Sequence, residues 1–286
     1  MNAATHRGAA LLSAGFLLLA CRGPAADRDV AANDAAPDAA AAADPYEIHK
    51  QRFLEFSLRK DYDAALAEAA AALEAAPTRR EAYMLVSKTF IDTGRDRDGI
   101  SFFKAVAEKN PSHADPWFFK GFHEGRLGLW ADARGSLQRA VALAPDDPEG
   151  HFRLGQVLEQ QADLEGAQKE LRRSCELDPR SAAKTASLMR VLSASGRNDE
   201  ADRIAAALLG RAPDTAEAEY AVATLRLQQK RWREAEGALR RVLALEPRFA
   251  PARADLVRLL LQSGRKAEAE EELARAQSAS ETPSAP

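Results

Sequence analysis

Residues that could carry nucleophilic, acid–base or metal chemistry occur in this sequence, but not at the spacings that such chemistry requires. The five histidines and two cysteines are His6, His49, His113, His123, His151, Cys21 and Cys175. No two histidines have the His-Glu-x-x-His spacing of a zinc site. A phosphate-binding loop and a Gly-x-Ser-x-Gly nucleophile elbow are also missing. We therefore expect a non-catalytic protein with no cofactor, no metal and no small-molecule substrate.

The charge balance argues against nucleic acid as a partner. The net charge of the 286 residues is −3. Residues 1–44 contain three arginines and five aspartates and so carry −2 of that charge, which leaves the remainder close to neutral. Nucleic-acid binding needs a basic surface that neutralises phosphates. We therefore do not expect nucleic acid as a partner.

The elements that must position any functional residue recur with a strict period. Prolines stand 34 residues apart at Pro77, Pro111, Pro145, Pro179, Pro213 and Pro247. A second column holds alanine at Ala65, Ala133, Ala167, Ala201, Ala235 and Ala269, with Gly99 in the remaining position. A third column holds Gly94, Gly128, Gly196 and Gly264. A period in this range predicts an array of structural repeats.

The stretch from Pro148 to Pro179 shows what one repeat should be. An apolar stripe at helical spacing, formed by Phe152, Leu154 and Leu158, predicts a first helix. After a loop near Ala162, a second stripe follows at Ala167, Leu171 and Ser174. The small residues Gly155 and Ala167 allow two helices to approach closely, and a proline ends the pair. The repeat is predicted to be a helical hairpin.

These columns resemble the tetratricopeptide repeat, and the resemblance covers Tyr46 to Gln277. It implies an all-α solenoid of about seven antiparallel helix hairpins in a right-handed superhelix. The expected repeats span 46–79, 80–113, 114–147, 148–181, 182–215, 216–249 and 250–277. Residues 278–286 are expected to form a disordered tail.

Several repeats depart from the pattern of residues 148–179. Phe53 and Met189 occupy the position of Gly155, and we expect Phe53 to splay its hairpin or alter its register. Gly99 replaces the usual alanine and should weaken its helix by about 1 kcal/mol. Repeat five is expected to be the loosest unit. An aromatic run from Trp117 to Phe122 makes the third repeat the most apolar.

The resemblance implies a partner-binding groove lined by the first helix of each hairpin. The positions that it assigns to this groove are Lys50, Leu54, Met84, Lys88, Phe118, Phe122, Arg126, Phe152, Gln156, Arg190, Tyr220, Thr224 and Arg258. Such a surface suits an apolar or amphipathic peptide with some acidic residues. The alternative is that Phe118 and Phe152 pack against the preceding repeat. Leu54 stands where the carboxylate clamp of chaperone-binding members has asparagine, so that clamp is not expected.

The N-terminus is interpreted as a targeting segment. Arg7 precedes an apolar run from Gly8 to Leu19, which is too short to span a bilayer. The run ends in Leu-Leu-Ala-Cys21, which resembles a bacterial lipobox with Cys21 as the lipid attachment site. This implies a signal peptide over 1–20, a disordered Ala/Asp/Pro tether over 21–45, and a membrane anchor. An ordinary secretory signal with a chance cysteine is the alternative.

These features together predict a lipid-anchored scaffold in the bacterial cell envelope. Arg22, rather than aspartate, follows Cys21, which resembles lipoproteins of the outer membrane that face the periplasm. Similar lipoproteins assist pilus secretins or envelope assembly. One alternative is a self-associating structural protein, because 13 of the 18 aromatic residues lie between Tyr46 and Trp130. Another is an accessory subunit of a periplasmic enzyme complex.

Overall fold

A computed structural model describes residues 44–281, and this part of the chain consists of helices and turns without a strand. Its fourteen helices are α1 (Pro45–Leu58), α2 (Tyr62–Ala75), α3 (Arg80–Asp92), α4 (Asp96–Lys109), α5 (Ala114–Arg126), α6 (Trp130–Leu143), α7 (Pro148–Gln160), α8 (Leu164–Leu177), α9 (Ala182–Ala194), α10 (Asn198–Arg211), α11 (Ala216–Gln228), α12 (Trp232–Leu245), α13 (Ala250–Gln262) and α14 (Lys266–Glu281). Helix α14 continues past the predicted end of the array at 277. The predicted signal peptide, Cys21, most of the predicted tether and residues 282–286 lie outside the described residues.

The helices pack in chain order. Each helix contacts the next one, and the first helices of neighbouring hairpins also contact one another from α1 to α11. The predicted all-α solenoid built from helix hairpins is thereby confirmed. Within residues 44–281, none of the helices is both long enough and apolar enough to cross a membrane.

A large residue on one helix of a hairpin faces a small residue on the other. A methyl group added to Gly155 would lie 2.6 Å from Cγ of Leu171. The equivalent positions in the first hairpin carry Phe53 and Ala69, so the large and small residues are exchanged, and both are buried. Helices α1 and α2 pack as extensively as α7 and α8. The expectation that Phe53 splays its hairpin is therefore wrong, because Ala69 supplies the space that Phe53 needs.

The proline column marks a hydrogen bond between successive repeats. The carbonyl of the proline accepts from the side chain six residues later, at the first turn of the next hairpin. Four such donors are Tyr83 to Pro77 (2.9 Å), Trp117 to Pro111 (3.3 Å), His151 to Pro145 (2.9 Å) and Arg253 to Pro247. In these four repeats the fourth position is filled by a side chain with an apolar body and a polar tip.

Charged side chains also link neighbouring repeats. Arginines at the start of second helices reach back to acids of the preceding repeat: Arg95 to Asp63 (3.1 Å), Arg231 to Asp202 (2.6 Å) and Arg265 to Glu236 (2.8 Å). The basic face of α12 meets the acidic face of α14 through Arg240 and Glu268 at 3.2 Å. Each exposed pair contributes little stability by itself.

The apolar core of the described residues is divided at α11. One cluster runs from Tyr46 to Leu225 and takes Ala218 and Val222 from α11. A second cluster contains Ala223, also on α11, and extends to Ala269 on α14. Helix α11 packs more extensively on α9 than on α10. The two sides of one helix therefore belong to two different cores.

The turn inside every hairpin contains one residue with positive φ. Glycine fills this position at Gly94, Gly128, Gly196 and Gly264, whereas the other three turns use Lys60, Ala162 and Lys230 with φ near +60°. A side chain is unfavourable in this left-handed conformation, which costs roughly 1–2 kcal/mol. Three of the seven hairpins therefore carry a local conformational cost.

Replacing Ala162 with glycine should stabilise the protein by about 1 kcal/mol, because glycine adopts positive φ without a steric penalty. Gly196→Ala is the matched control at the equivalent turn. No atom lies within 4 Å of the methyl group that it would add, so only the backbone conformation is tested. It should destabilise by a similar amount. Thermal unfolding followed by circular dichroism measures both variants, and unchanged midpoints for both would contradict the assigned cost.

Candidate functional site

The residues predicted to line a groove lie on the first helices α1, α3, α5, α7, α9, α11 and α13, at equivalent turns of successive repeats. We call this surface the first-helix face. The predicted set on it comprises Met84, Lys88, Phe118, Phe122, Arg126, Phe152, Gln156, Arg190 and Tyr220. Because neighbouring first helices contact one another, these positions form a connected surface.

The phenylalanines of this face are covered from within the molecule. Phe118 and Phe152 are buried, and the guanidinium carbon of Arg80 lies 4.3 Å from the centre of the Phe118 ring. The guanidinium of Arg153 lies 5.3 Å from the rings of both Phe122 and Phe152. Phe122 is half-buried. The geometry favours the packing interpretation of Phe118 and Phe152, and their rings stabilise cations of this chain.

Apolar side chains are exposed instead at the N-terminal end of the first-helix face. Leu54 and Leu58 lie one turn apart on α1, and Met84 lies on the adjacent α3. Their exposed fractions are 45%, 86% and 47%. Leu54 and Met84 belong to the predicted groove positions, whereas Leu58 was not singled out from the sequence. These three side chains form the apolar end of the face.

The polar groups predicted on the face all have partners. Lys88 donates to Asp92 at 2.7 Å, and Arg190 pairs with Glu159. Gln156 accepts from Arg153 at 3.2 Å, and Tyr220 donates to Asp255 at 2.9 Å. Burial is the main cause of the raised pKa of Tyr220, and the nearby Asp255 raises this pKa further. Tyr220 therefore remains protonated at neutral pH.

In four of the five ion pairs on this face the cation is more exposed than its acid, and Lys50 with Glu47 is the exception. Arg190 is 44% exposed and Glu159 12%, while Arg258 is 67% exposed and Asp255 13%. The same order holds for Lys88 with Asp92 and for Arg126 with Asp96. The acids therefore lie deeper, and positive charge is presented at the surface. Such a face complements an acidic ligand.

A buried polar cluster between repeats two and three was not predicted from the sequence. His123 on α5 is fully buried, and its Nδ1 lies 2.7 Å from Oδ1 of Asp96 on α4. Its Nε2 lies 3.0 Å from the hydroxyl oxygen of Ser87 on α3. Arg126 donates to the same carboxylate through Nε (2.6 Å) and Nη2 (3.2 Å). We call these four residues the Ser87–Asp96–His123–Arg126 cluster.

The proton positions in this cluster follow from its partners. A carboxylate only accepts, so Nδ1 of His123 must donate to Asp96, and Nε2 of the neutral ring then accepts from Ser87. Burial lowers the pKa of His123, and Arg126 lowers it further, against the opposing effect of Asp96. Burial raises the pKa of Asp96, but hydrogen bonds from Arg126 and His123 outweigh burial and lower it overall. Asp96 is thus ionised and His123 neutral.

The order Ser87–His123–Asp96 is that of a serine-hydrolase triad. Ser87 and His123 are both buried among Phe90, Phe103 and α5, so a substrate carbonyl has no path to the Ser87 hydroxyl in this conformation. What the cluster can do is hold a negative charge in the interior and join α3, α4 and α5. Within residues 44–281, no group of three or more potential metal-ligating residues is found.

Gly99 is the sequence signal that could have revealed this cluster. It interrupts the alanine column, and an added methyl group would lie 3.1–3.2 Å from three atoms of the His123 ring. The ring cannot withdraw, because both of its nitrogens are held by hydrogen bonds. Gly99 was expected only to weaken its helix. The structure shows that it makes room for His123.

Gly99→Ala should destabilise the protein by about 1 kcal/mol, because the steric cost against a fixed ring exceeds the gain in helix propensity. Gly135→Ala on α6 is the matched control, since nothing lies within 4 Å of the added methyl group. That change should stabilise by about 0.5–1 kcal/mol. Urea unfolding measures both, and stabilisation by Gly99→Ala would contradict the proposed fit of His123.

Comparison with known proteins identifies the repeats. Tetratricopeptide repeat models match residues 123–182 and 226–283. A tetratricopeptide repeat protein from Parabacteroides merdae superposes with a TM-score of 0.61 at 17% identity, over 82% of this chain and 93% of that one. The anaphase-promoting complex assembly Cut9–Hcn1 gives a TM-score of 0.56 at 13% identity, over 75% and 42% of the respective chains. No curated protein sequence matches this chain. The chain contains tetratricopeptide repeats and folds as an all-α solenoid of these hairpins.

Proposed function

We propose that this protein is a non-catalytic scaffold that binds an acidic, amphipathic peptide segment of a partner protein on its first-helix face. Tetratricopeptide repeats bind protein or peptide partners. The observation that carries the proposal is the combination of an exposed apolar end and outward-facing cations on one connected surface. Apolar contacts would supply affinity, and the cations would select for acidic residues.

Exposed apolar and cationic side chains occupy different parts of the face. Leu54, Leu58 and Met84 offer apolar contact area at the N-terminal end. Lys88 lies one turn after Met84 on α3, and Arg126 and Arg190 follow on α5 and α9. A peptide lying across the first helices would meet the apolar end first and the cations afterwards. Phe118 and Phe152 support this surface from beneath.

The aromatic residues give less support to self-association. Of the N-terminal aromatics, Phe53, Tyr83, Phe90, Phe103, Phe118 and Phe119 are buried in the core. Residues in the interior cannot contact a second copy. The concentration of aromatic residues between Tyr46 and Trp130 is explained by packing between repeats.

The second part of the proposal is a membrane anchor. The sequence Leu-Leu-Ala-Cys21 after an apolar run supports lipid attachment at Cys21, in the bacterial envelope and facing the periplasm from the outer membrane. Anchored in this way, the scaffold would hold a partner of an envelope assembly at the membrane.

A photo-crosslinking residue in place of Met84 should give a discrete adduct with a partner in intact cells, because this position is exposed on the proposed binding face. Leu245, at the end of α12, is similarly exposed at 43% and provides the matched control position. Gel electrophoresis and mass spectrometry would identify the adduct. Equal adducts at both positions, or none at Met84, would contradict binding on the first-helix face.

Cys21→Ala should prevent acylation and release the protein from the membrane fraction, because the thiol is the proposed attachment point. Cys175→Ala is the control: Cys175 is half-buried on α8, and burial raises the pKa of its thiol. Fractionation of cells followed by immunoblotting measures the distribution. Membrane association that survives Cys21→Ala would show that no lipid on this residue anchors the protein.

A further inference from the structure

We infer that His123 and Arg126 compete for Asp96, so that protonation of His123 releases Arg126 to bind a carboxylate of the partner peptide. This inference rests on the proposed function, because it assigns a contact and a mode of regulation to the first-helix face. In this inference Arg126 binds an acidic group of the peptide, and the peptide binds more tightly at lower pH.

The two donors share one acceptor and are held by it at the same time while His123 is neutral, so they compete only once His123 carries a positive charge. Nδ1 of His123 and Nε of Arg126 both reach Oδ1 of Asp96, at 2.7 and 2.6 Å. The two donors come from one helix, α5, and the acceptor from the start of α4. Arg126 is the last residue of α5 and belongs to the first-helix face, whereas His123 lies in the core. One carboxylate therefore connects an interior ring to a surface cation.

None of the other groups around His123 takes the place of His123 or Arg126 as a donor to Asp96. Helix α3 presents the Ser87 hydroxyl and the Phe90 ring, and α4 presents Phe103 and Gly99. The charged groups that act on the ring are Asp96 and Arg126. The adjacent Glu124 is engaged by Lys120 at 2.5 Å and by Ser136 at 2.6 Å. Lys88 and Asp92 on α3 pair with each other.

Charge balance allows two states of the cluster. With His123 neutral, Arg126 compensates the buried Asp96 carboxylate. With His123 protonated, the imidazolium takes over this role, and its Nε2 then donates to the Ser87 oxygen. Asp96 is balanced by one cation in both states, so neither leaves an unpaired buried charge. If His123 and Arg126 both stayed at Asp96 with a positive charge, two cations would share one anion. An excess positive charge would then lie beside a fully buried ring.

Arg126 is placed to move between these states. It is half-buried, and its guanidinium lies closer to the surface than Asp96 does. Its two-point contact with Asp96 is the geometry that a ligand carboxylate would also offer. Proton uptake by His123 and binding of an acidic group at Arg126 therefore favour each other, and this coupling is reciprocal.

The first test needs no ligand. Nuclear magnetic resonance of protein labelled with ¹⁵N-histidine measures the titration of His123 directly. Arg126→Gln should raise the pKa of His123, because Asp96 then has only the imidazolium as a cationic partner. Arg258→Gln is the control, since Arg258 is a surface cation of the same face paired with Asp255 on α13. An unchanged titration in Arg126→Gln would overturn the competition between His123 and Arg126.

The second test uses a fluorescent twelve-residue peptide of alternating leucine and glutamate. The peptide should bind the full chain roughly tenfold more tightly at pH 5.5 than at pH 7.5. His123→Gln, whose amide can still donate to Asp96, should lose this difference but keep binding, and Arg126→Gln should weaken binding at pH 5.5. A pH dependence that persists in His123→Gln would overturn the inference. If the peptide binds at neither pH, the proposed binding face fails, and the histidine titration still decides the competition by itself.

Discussion

The structure depends on one steric constraint, the volume shared between the two helices of each hairpin. Where the first helix has glycine, the second has leucine, as in Gly155 with Leu171 and Gly121 with Leu137. Where the first helix has Phe53 or Met189, the second has Ala69 or Ala205, and all four are buried. A hairpin therefore needs one large and one small residue, and either helix can supply the large one. In these four hairpins the first helix, and the residues it places on the first-helix face, are positioned by this fit.

Hydrogen bonds from side chains to the proline carbonyls link a hairpin to the turn before it at four of the repeat junctions. This arrangement explains why chemically different residues occupy the same position in successive repeats. Tyr83, Trp117, His151 and Arg253 all reach a carbonyl six residues earlier. In these four repeats the residue combines an apolar body with a donor at its tip. His151 is thereby explained as a structural residue, in agreement with the absence of a metal-binding spacing around it.

The helices and their pairing could be predicted because local signals recur along the chain: prolines, apolar stripes and, in four of the seven hairpins, a glycine in the turn. The exchange of Phe53 with Ala69 could not be read from one column, since it appears only when two columns are compared across a hairpin. The Ser87–Asp96–His123–Arg126 cluster was harder to predict. Its members belong to three helices and do not recur at 34 residues, so periodicity gives no signal for them. Gly99 was the sequence signal of this cluster, but its role depends on the His123 ring, which lies 24 positions further along the chain. The groove positions were mapped by equivalence, but which of them are exposed depends on neighbours such as Arg80 and Arg153.

The divided core has a consequence for how the array opens. Helix α11 places Val222 in one apolar cluster and Ala223 in the other, so the apolar contact between the last two repeats and the preceding ones passes through this helix. In an array held together by nearest-neighbour contacts, such a helix is a boundary between cooperative units. Thermal fluctuations that separate α12–α14 leave the larger cluster intact. The first-helix face from α1 to α7 can therefore keep its shape while the C-terminal end frays and re-forms.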